Sequence, residues 1–549
     1  MDRRISMLLG LFAVLLAIAG ARAFQLATLS SDKLAQAADT QSEATDNIPA
    51  PRGTITDRHG KVLAASVAAD DVSVTPYLIE NPPKTARIVA GDLGISEVDV
   101  LKAMTRTDTG FVYLARGVPG TKTAKLKKRK LPGLNFDPTM LREYPRQWVA
   151  TQVVGSTSLE GKGLFGLEYA RDKQLRGRAG VRKITRDATG EAVEVQDPTT
   201  TKPGTSLQLT LDAAIQDKTE QIMSELGAEY SPKSASAIVM DPGTGKLLAV
   251  ANWPRVDAGN LKGTPATAMV DQATNLTFEP GSTFKAFTMA GALQDGTVTP
   301  DTSFNLAPTI QVADREIGEA HERGWETMTT SQILAQSSNV GTITIAERMG
   351  KTRFAAWVKK FGFGKQTGVD LPGEEQGMVI PPSQYSGSSI GNLPIGQGLL
   401  VTPMQLAQGY AAIANGGILR PPHVVDKVGG RTVRAPRGHR VITPQTAASL
   451  REMLAGVFQA GGTAAAVQVP GYSLAGKTGT ANKIDPKTGS YSKDKYVASF
   501  IGFAPAAAPK LLISVIVDEP KGDIYGGDVA APAFGKIADF ALPTLRISP

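Results

Sequence analysis

The chain opens on an unbroken run of uncharged, mostly apolar positions, residues 5–21. As a helix this run is about 25 Å long, slightly short of a bilayer core. Arg22 can snorkel, and residues 23–26 can carry the helix to the interface. The pattern predicts one transmembrane helix over residues 5–23. Arg3 and Arg4 precede it, which places residues 1–4 in the cytoplasm and the rest outside. A cleaved signal peptide is the alternative, because Ala21-Arg22-Ala23 has the small-x-small form of a cleavage site. Residues 24–50 are polar and aperiodic and read as a stalk. Residues 51–205 read as short strands and turns with few long helical patterns.

The texture changes near Gly204. Residues 207–211 alternate as a strand, and Asp212 caps a helix expected to run to about 225 and close at Gly227. Two apolar runs, 235–240 and 246–252, flank Asp241-Pro242-Gly243-Thr244-Gly245 and predict a hairpin. Residues 497–503 and 511–517 predict a second strand pair around Pro505 and Pro509, and 529–545 a helical tail. Strands thus flank a middle rich in helix and loop. The fold class is α/β, an antiparallel sheet built from both ends of the region and flanked by helices. No repeat of 20–50 residues is present.

The chain has 549 residues, a length that suggests three or four domains. Its 57 glycines and 35 prolines exclude a coiled coil or an all-helical bundle. The formal charge of +8 fits anionic lipid or polymer as well as nucleic acid. Lys122, Lys125, Lys127, Lys128, Arg129 and Lys130 form one basic run, read as a solvated face, with contact to anionic glycan or lipid as the alternative. Cysteine is absent, which removes thiol catalysis, iron–sulfur clusters and disulfides. The four histidines lack metal-ligand spacing, so neither a metal nor a cofactor is expected.

Three stretches carry candidate chemistry. Residues 471–478 fit the phosphate-loop pattern, ending in Gly476-Lys477-Thr478. Such a loop must open a helix, and the stretch that follows is turn-rich, so an ATPase is rejected. Residues 387–391 fit the G-x-S-x-G nucleophile elbow, but a loop precedes Ser388 and Ser389 where a strand is needed. The third candidate is an ordered set: Ser282-x-x-Lys285, then Ser337-x-Asn339, then Lys477-Thr478-Gly479-Thr480. Pro280 and Gly281 favour a helix start at Ser282, and the spacing puts Lys285 on the same face. Acyl transfer needs a nucleophile, a base and oxyanion donors. Ser282 is inert until deprotonated. No histidine lies near any motif in sequence, so Lys285 is the expected base, provided burial or a nearby charge such as Lys477 keeps it neutral. The N–H at a helix start faces a developing oxyanion, and a glycine-bearing strand at Lys477 lets substrate backbone approach.

On these motifs the chain resembles the class B penicillin-binding proteins, peptidoglycan D,D-transpeptidases. Arg52-Gly53-Thr54-Ile55-Thr56-Asp57-Arg58-His59-Gly60 matches the first motif of that family's non-catalytic pedestal. Gly166-Leu167-Glu168 and Leu175-Arg176-Gly177 match later ones. Phe278-Glu279-Pro280-Gly281-Ser282, Gly396-Gln397-Gly398 and Val401-Thr402-Pro403 match the catalytic domain. Tyr525-Gly526-Gly527 with Ala530-Ala531-Pro532 looks more like the septal branch than the elongation branch. The resemblance implies a transpeptidase domain of the penicillin-binding-protein and serine β-lactamase fold, with a helical subdomain, over 206–549. It also implies an elongated α+β pedestal over 51–205. It implies that Ser282 is the nucleophile and Lys285 its base, that Ser337 relays a proton, and that Asn339 binds donor backbone. Lys477 would support Ser337, Thr478 and Thr480 would hold the substrate carboxylate beside Gly479, and the Ser282 and Thr480 N–H groups would form the oxyanion hole. Implied partners are D-Ala-D-Ala stem peptides with an amine acceptor, β-lactams, a polytopic SEDS-family glycosyltransferase and divisome membrane proteins. The implied location is the cell (inner) membrane, single-pass, with the catalytic domain on the extracytoplasmic side. An elongation-type transpeptidase and a non-enzymatic division scaffold are the alternatives; the intact motifs argue against the scaffold.

Overall fold

The computed structural model describes residues 2–25, 43–186 and 192–549. Asp2–Phe24 form one helix, whose stretch Ile5–Phe24 is long and apolar enough to cross a membrane, with a mean hydropathy of 2.2. Most of the expected stalk lies outside the described residues. Its last part does not: Glu43–Ile48 is a strand, antiparallel to Gly180–Arg186, which in turn pairs with Ala192–Thr199.

The chain forms two compact units rather than the three or four that length suggests. One comprises Met1–Pro51, Ala68–Leu141 and Gly177–Gly204. It holds more helix than its sequence texture predicts: Pro82–Leu93, Glu97–Met104 and Gly120–Arg129. The first was masked by its prolines, which occupy the opening turn where no N–H is needed. Asn81 caps it by accepting from Lys84 N, and left-handed Gly94 closes it. The basic run falls on the third helix, where only Thr123 and Leu126 are buried, three residues apart on one face. The cations point outward, and Lys127 meets Asp70 at 2.7 Å while Arg129 meets Asp92 at 3.1 Å. These pairs fit a solvated face.

The other unit comprises Arg52–Val67, Arg142–Arg176 and Thr205–Pro549. Packing therefore groups two early segments with the C-terminal part, although composition changes at Gly204. The reason is buried charge and core. Arg52 pairs with the fully buried Glu168, which also binds Arg142 at 2.7 Å. Asp57 accepts from Lys61 N and from Ala213 N, at the start of the helix that follows. Ile55, Leu63, Val153 and Leu167 join the same core as residues beyond 205. Removing one partner of such a buried pair strands the other charge.

Five antiparallel strands form the central sheet: β1 (Ser234–Met240), β2 (Leu247–Trp253), β3 (Ala475–Ile484), β4 (Tyr491–Ala504) and β5 (Leu511–Asp518). Their order is β2-β1-β5-β4-β3, so strands from the N- and C-terminal parts of the unit join in one sheet where β1 pairs with β5, as expected from sequence. Successive side chains alternate between two cores. Ala235, Ala237 and Val239 face one, with Val515 and Phe500; Ile238 and Met240 face the other, with Leu512 and Ile501. Both faces are buried, which is why these strands read as continuous apolar runs.

Helices α1 (Ala213–Tyr230), α2 (Lys285–Gln294), α3 (Asn339–Met349), α4 (Pro403–Ala414) and α5 (Ala531–Thr544) supply the layers. α1 does not stop at Gly227 as expected. There the Trp253 ring lies where a side chain would be, 2.4 Å from the position of a Cβ, so this glycine serves packing and not termination. α4 packs on the opposite sheet face to α1 and α5. Its Tyr410 hydroxyl donates to the Thr283 carbonyl at 2.7 Å. The rings of Phe284, Phe287, Phe363 and Tyr410 lie edge to face or tilted, with centroids about 5 Å apart. α2 is thus fixed from below.

Candidate active site

The nucleophile turn is one 3₁₀ turn, Gly281–Phe284, running into α2. Gly281 has φ +53 and donates to the Gly396 carbonyl at 3.0 Å. Gly396 is itself constrained, because a Cβ there would sit 2.1 Å from the Gly281 oxygen. Ser282 is half-buried at the surface of the turn, and its Oγ makes no hydrogen bond among the described residues.

Lys285 lies three residues further on and is completely buried. Its Nζ donates to the Ser337 carbonyl, to Asn339 Oδ1 at 2.6 Å and to Ser337 Oγ at 3.3 Å. Those three partners match the three protons of an ammonium. Ser337 sits in the left-handed region at φ +64, just before Ser338 caps α3 by accepting from Gly341 N. A non-glycine residue held there is strained, and the packing around it must compensate. Burial pulls Lys285 down to about 7, against the opposing pull of the Glu319 carboxylate. Burial, rather than Lys477, therefore meets the requirement for a lysine that gives up its proton.

Lys477 is also completely buried, on β3. Its Nζ reaches Thr478 O at 3.1 Å and Thr478 Oγ1 at 3.4 Å, and no hydrogen bond joins it to Ser337 among the described residues. Burial first, and the neighbouring Lys285 second, hold it well below the usual lysine range. Thr478 Oγ1 is hydrogen-bonded to Thr463 Oγ1 at 2.7 Å, and Thr480 Oγ1 accepts from Gly526 N at 3.0 Å. At Gly479 a Cβ would stand 2.4 Å from Ser499 Oγ and 2.9 Å from the Thr283 methyl, so only glycine lets β3 lie against the nucleophile turn.

A cleft of about 820 Å³ runs over this floor, and Ser282, Ser337, Thr478, Gly479 and Thr480 line it. Lys285 and Asn339 meet beneath Ser337, and Lys477 lies behind Thr478. The ordered set, spread over about two hundred positions of sequence, is thus one site. A half-buried serine hydroxyl lining the cleft, a buried amine one turn away and threonines along a strand edge can carry out acyl transfer to and from a peptide carboxyl terminus.

The cleft also holds Glu319, His321, Arg323 and Thr463, which no motif marks, beside Tyr525 of the Tyr525-Gly526-Gly527 stretch. No histidine lies near a motif in sequence, but the fold brings one to the cleft. The His321 ring lies 5.6 Å from the Tyr525 ring at the cleft lining. It is distant from every motif in sequence and is brought in by the loop before Ser337. No residue pattern marked that loop.

The rival motifs do not assemble. Residues 475–484 form strand β3, so no helix opens at Lys477 and the phosphate-loop reading fails. Ser388 and Ser389 follow a 3₁₀ turn, Pro382–Gln384, not a strand. Their hydroxyls hydrogen-bond to Ser386 Oγ.

A helix-flanked antiparallel sheet with a serine–lysine turn along the edge strand defines a serine-type acyltransferase. Comparison with known proteins makes the class specific. Residues 235–539 match the family description "Penicillin binding protein transpeptidase domain", and residues 47–209 match "Penicillin-binding Protein dimerisation domain". The chain is 34% identical to penicillin-binding protein PbpB of Mycolicibacterium smegmatis over 97% of its own length and 89% of that protein's. It is 32% identical to the peptidoglycan D,D-transpeptidase FtsI of Escherichia coli, over 100% of this chain and 92% of the other. The crystal structure of penicillin-binding protein 3 from Mycobacterium tuberculosis complexed with ampicillin superposes with a TM-score of 0.73 at 31% identity, covering 92% of this chain and 98% of that one. The chain belongs to the class B penicillin-binding proteins.

Proposed function

We propose that this protein is the septal peptidoglycan D,D-transpeptidase of its cell, working through an acyl-enzyme on Ser282. The observation that carries the reading is the buried Lys285 amine, held between Ser337 and Asn339 one helical turn from Ser282. Ser282 Oγ attacks the carbonyl of the penultimate D-alanine of a stem peptide, and its proton passes to neutral Lys285. The N–H groups of Ser282 and Thr480 receive the oxyanion, while Thr478 and Thr480 hold the terminal carboxylate. Collapse breaks the amide bond. Ser337 relays a proton to the leaving D-alanine, and Asn339 keeps the donor backbone in line. Lys477 supports the carboxylate side through Thr478. An acceptor amine then attacks the ester, forms the cross-link and releases Ser282. A β-lactam enters by the same route, its strained amide and carboxylate replacing D-Ala-D-Ala.

The cellular arrangement follows the same reading. Residues 1–4 are cytoplasmic, 5–23 span the inner membrane, and the pedestal and the catalytic domain lie outside. Arg3 and Arg4 before the apolar helix support this orientation. The helix and pedestal engage a polytopic SEDS-family glycosyltransferase and other divisome proteins. Depletion tests the function: filamentation with loss of new cross-links at septa is expected. Intact septa with defective side walls would assign the protein to elongation instead.

A further inference from the structure

The loop before Ser337 contains an acid that no motif marks. Glu319 has a side chain only 7% exposed. Its Oε2 accepts from Asn339 N, the first N–H of α3, and its Oε1 accepts from Ser338 Oγ at 2.6 Å. Arg323 donates to the same Oε1 at 2.7 Å. The neighbouring Gly318 carbonyl accepts from Asn339 Nδ2 at 3.0 Å. These bonds have one geometric result. Asn339 is gripped by the loop at its backbone and at its amide nitrogen, so its Oδ1 is turned toward Lys285. Ser338, which caps α3, is tied down beside it, and between them they fix the strained backbone of Ser337.

We propose that Glu319 is a positioning residue of the transpeptidase reaction: through Ser338 and Asn339 it holds the Ser337–Asn339 corner, and with it its own carboxylate charge, beside Lys285. The inference rests on the reading of Lys285 as the base. A carboxylate near a lysine favours the ammonium, opposing the effect of burial. The site thus balances two demands. Burial alone would leave Lys285 neutral and free to swing; Glu319 keeps part of the charge and, through Asn339, the orientation. The other ionisable groups around this balance are Lys477 on β3, lowered by burial and then by Lys285, and Arg323, which partly offsets Glu319. His321 and Glu322 line the cleft from the same loop, and Glu326 from the strand that follows it.

The test is the rate of acylation by benzylpenicillin from pH 5 to 9, followed by intact-mass spectrometry on the full chain in detergent. The rate should rise with pH as Lys285 loses its proton. In Glu319→Gln the amide can still accept a hydrogen bond, but the charge is gone. The rising limb should therefore move to lower pH by about one unit. Arg323→Gln should move it the other way, by less. A limb at the wild-type position in Glu319→Gln, even with a reduced plateau, would overturn the proposal and leave Glu319 a purely structural role. Should Glu319→Gln not fold, Arg323→Gln decides: a limb displaced to higher pH supports the proposal and an unmoved limb overturns it. Lys285→Ala, run in parallel, separates the two readings. Its acylation at the wild-type rate would remove Lys285 as base, whatever the Glu319 variants do.

Discussion

Helix α2 and strand β3 each carry a lysine with no exposed surface, and the two lysines are served differently. Lys285 finds a carbonyl, an amide oxygen and a hydroxyl, all on the Ser337–Asn339 corner, with a carboxylate behind it. Among the described residues, Lys477 hydrogen-bonds only to the residue next to it. Burial lowers both, but only Lys285 has enough acceptors to be held in one place while its proton comes and goes. On the proposed mechanism, the difference separates a group that exchanges a proton with Ser282 from one that shapes the strand proposed to receive the substrate carboxylate. Both tax the folded state. A lysine whose folded pKa lies below its unfolded value destabilises the fold fully at pH below the folded value, and the penalty fades as pH rises toward the unfolded one. For Lys285 that window runs from about 7 to 10.5.

The comparison breaks most sharply at Lys285. Lys285→Ala should slow benzylpenicillin acylation by at least ~10²–10⁴-fold, the usual contribution of a general base. An effect below tenfold, measured by timed intact-mass spectra, would make the two lysines equivalent. Next comes the contact between the two elements. Gly479→Ala forces a Cβ to within 2.4 Å of Ser499 Oγ and 2.9 Å of the Thr283 methyl, parting β3 from the nucleophile turn. A displacement of that kind costs on the order of 10²-fold in acylation rate. Gly479→Ala acylating at the wild-type rate would show that the close approach is not needed. The smallest effect is on stability. Lys477→Met removes a buried amine with few partners, and the melting temperature at pH 7 should rise by at least about 2 °C. Lys285→Met should gain less, because it orphans the oxygens of Ser337 and Asn339. Thermal unfolding of both at pH 7 and pH 10 checks the order, and the gain should shrink at the higher pH.

Legibility followed the same division. Ser282, Lys285, Ser337, Asn339 and the Lys477–Thr480 strand could be read as a set because each carries a residue type that acyl transfer demands, at a local spacing that a turn or strand imposes. The strands were legible because both sheet faces are buried, leaving runs such as 235–240 almost wholly apolar. What escaped depends on long-range closure. Glu319 and His321 are ordinary polar residues in a polar loop, and only the fold brings one to α3 and the other to Tyr525. Gly227 looked like a helix stop because its true cause, the Trp253 ring, lies across the packing interface. The helix at Pro82–Leu93 was hidden by prolines that start it rather than break it. The grouping of Arg52 with Glu168 could not be seen from a change in composition at Gly204, since a buried ion pair leaves no local trace in sequence.

The central claim is that Ser282 is the acylated nucleophile. It is tested most directly by treating the wild-type protein and Ser282→Ala with benzylpenicillin and locating the adduct by peptide mass spectrometry. The account predicts one adduct, on the peptide containing Ser282, and none in Ser282→Ala, whose melting temperature should stay near that of the wild type. An adduct on Ser388 or Ser389, or one that persists in Ser282→Ala, would contradict it.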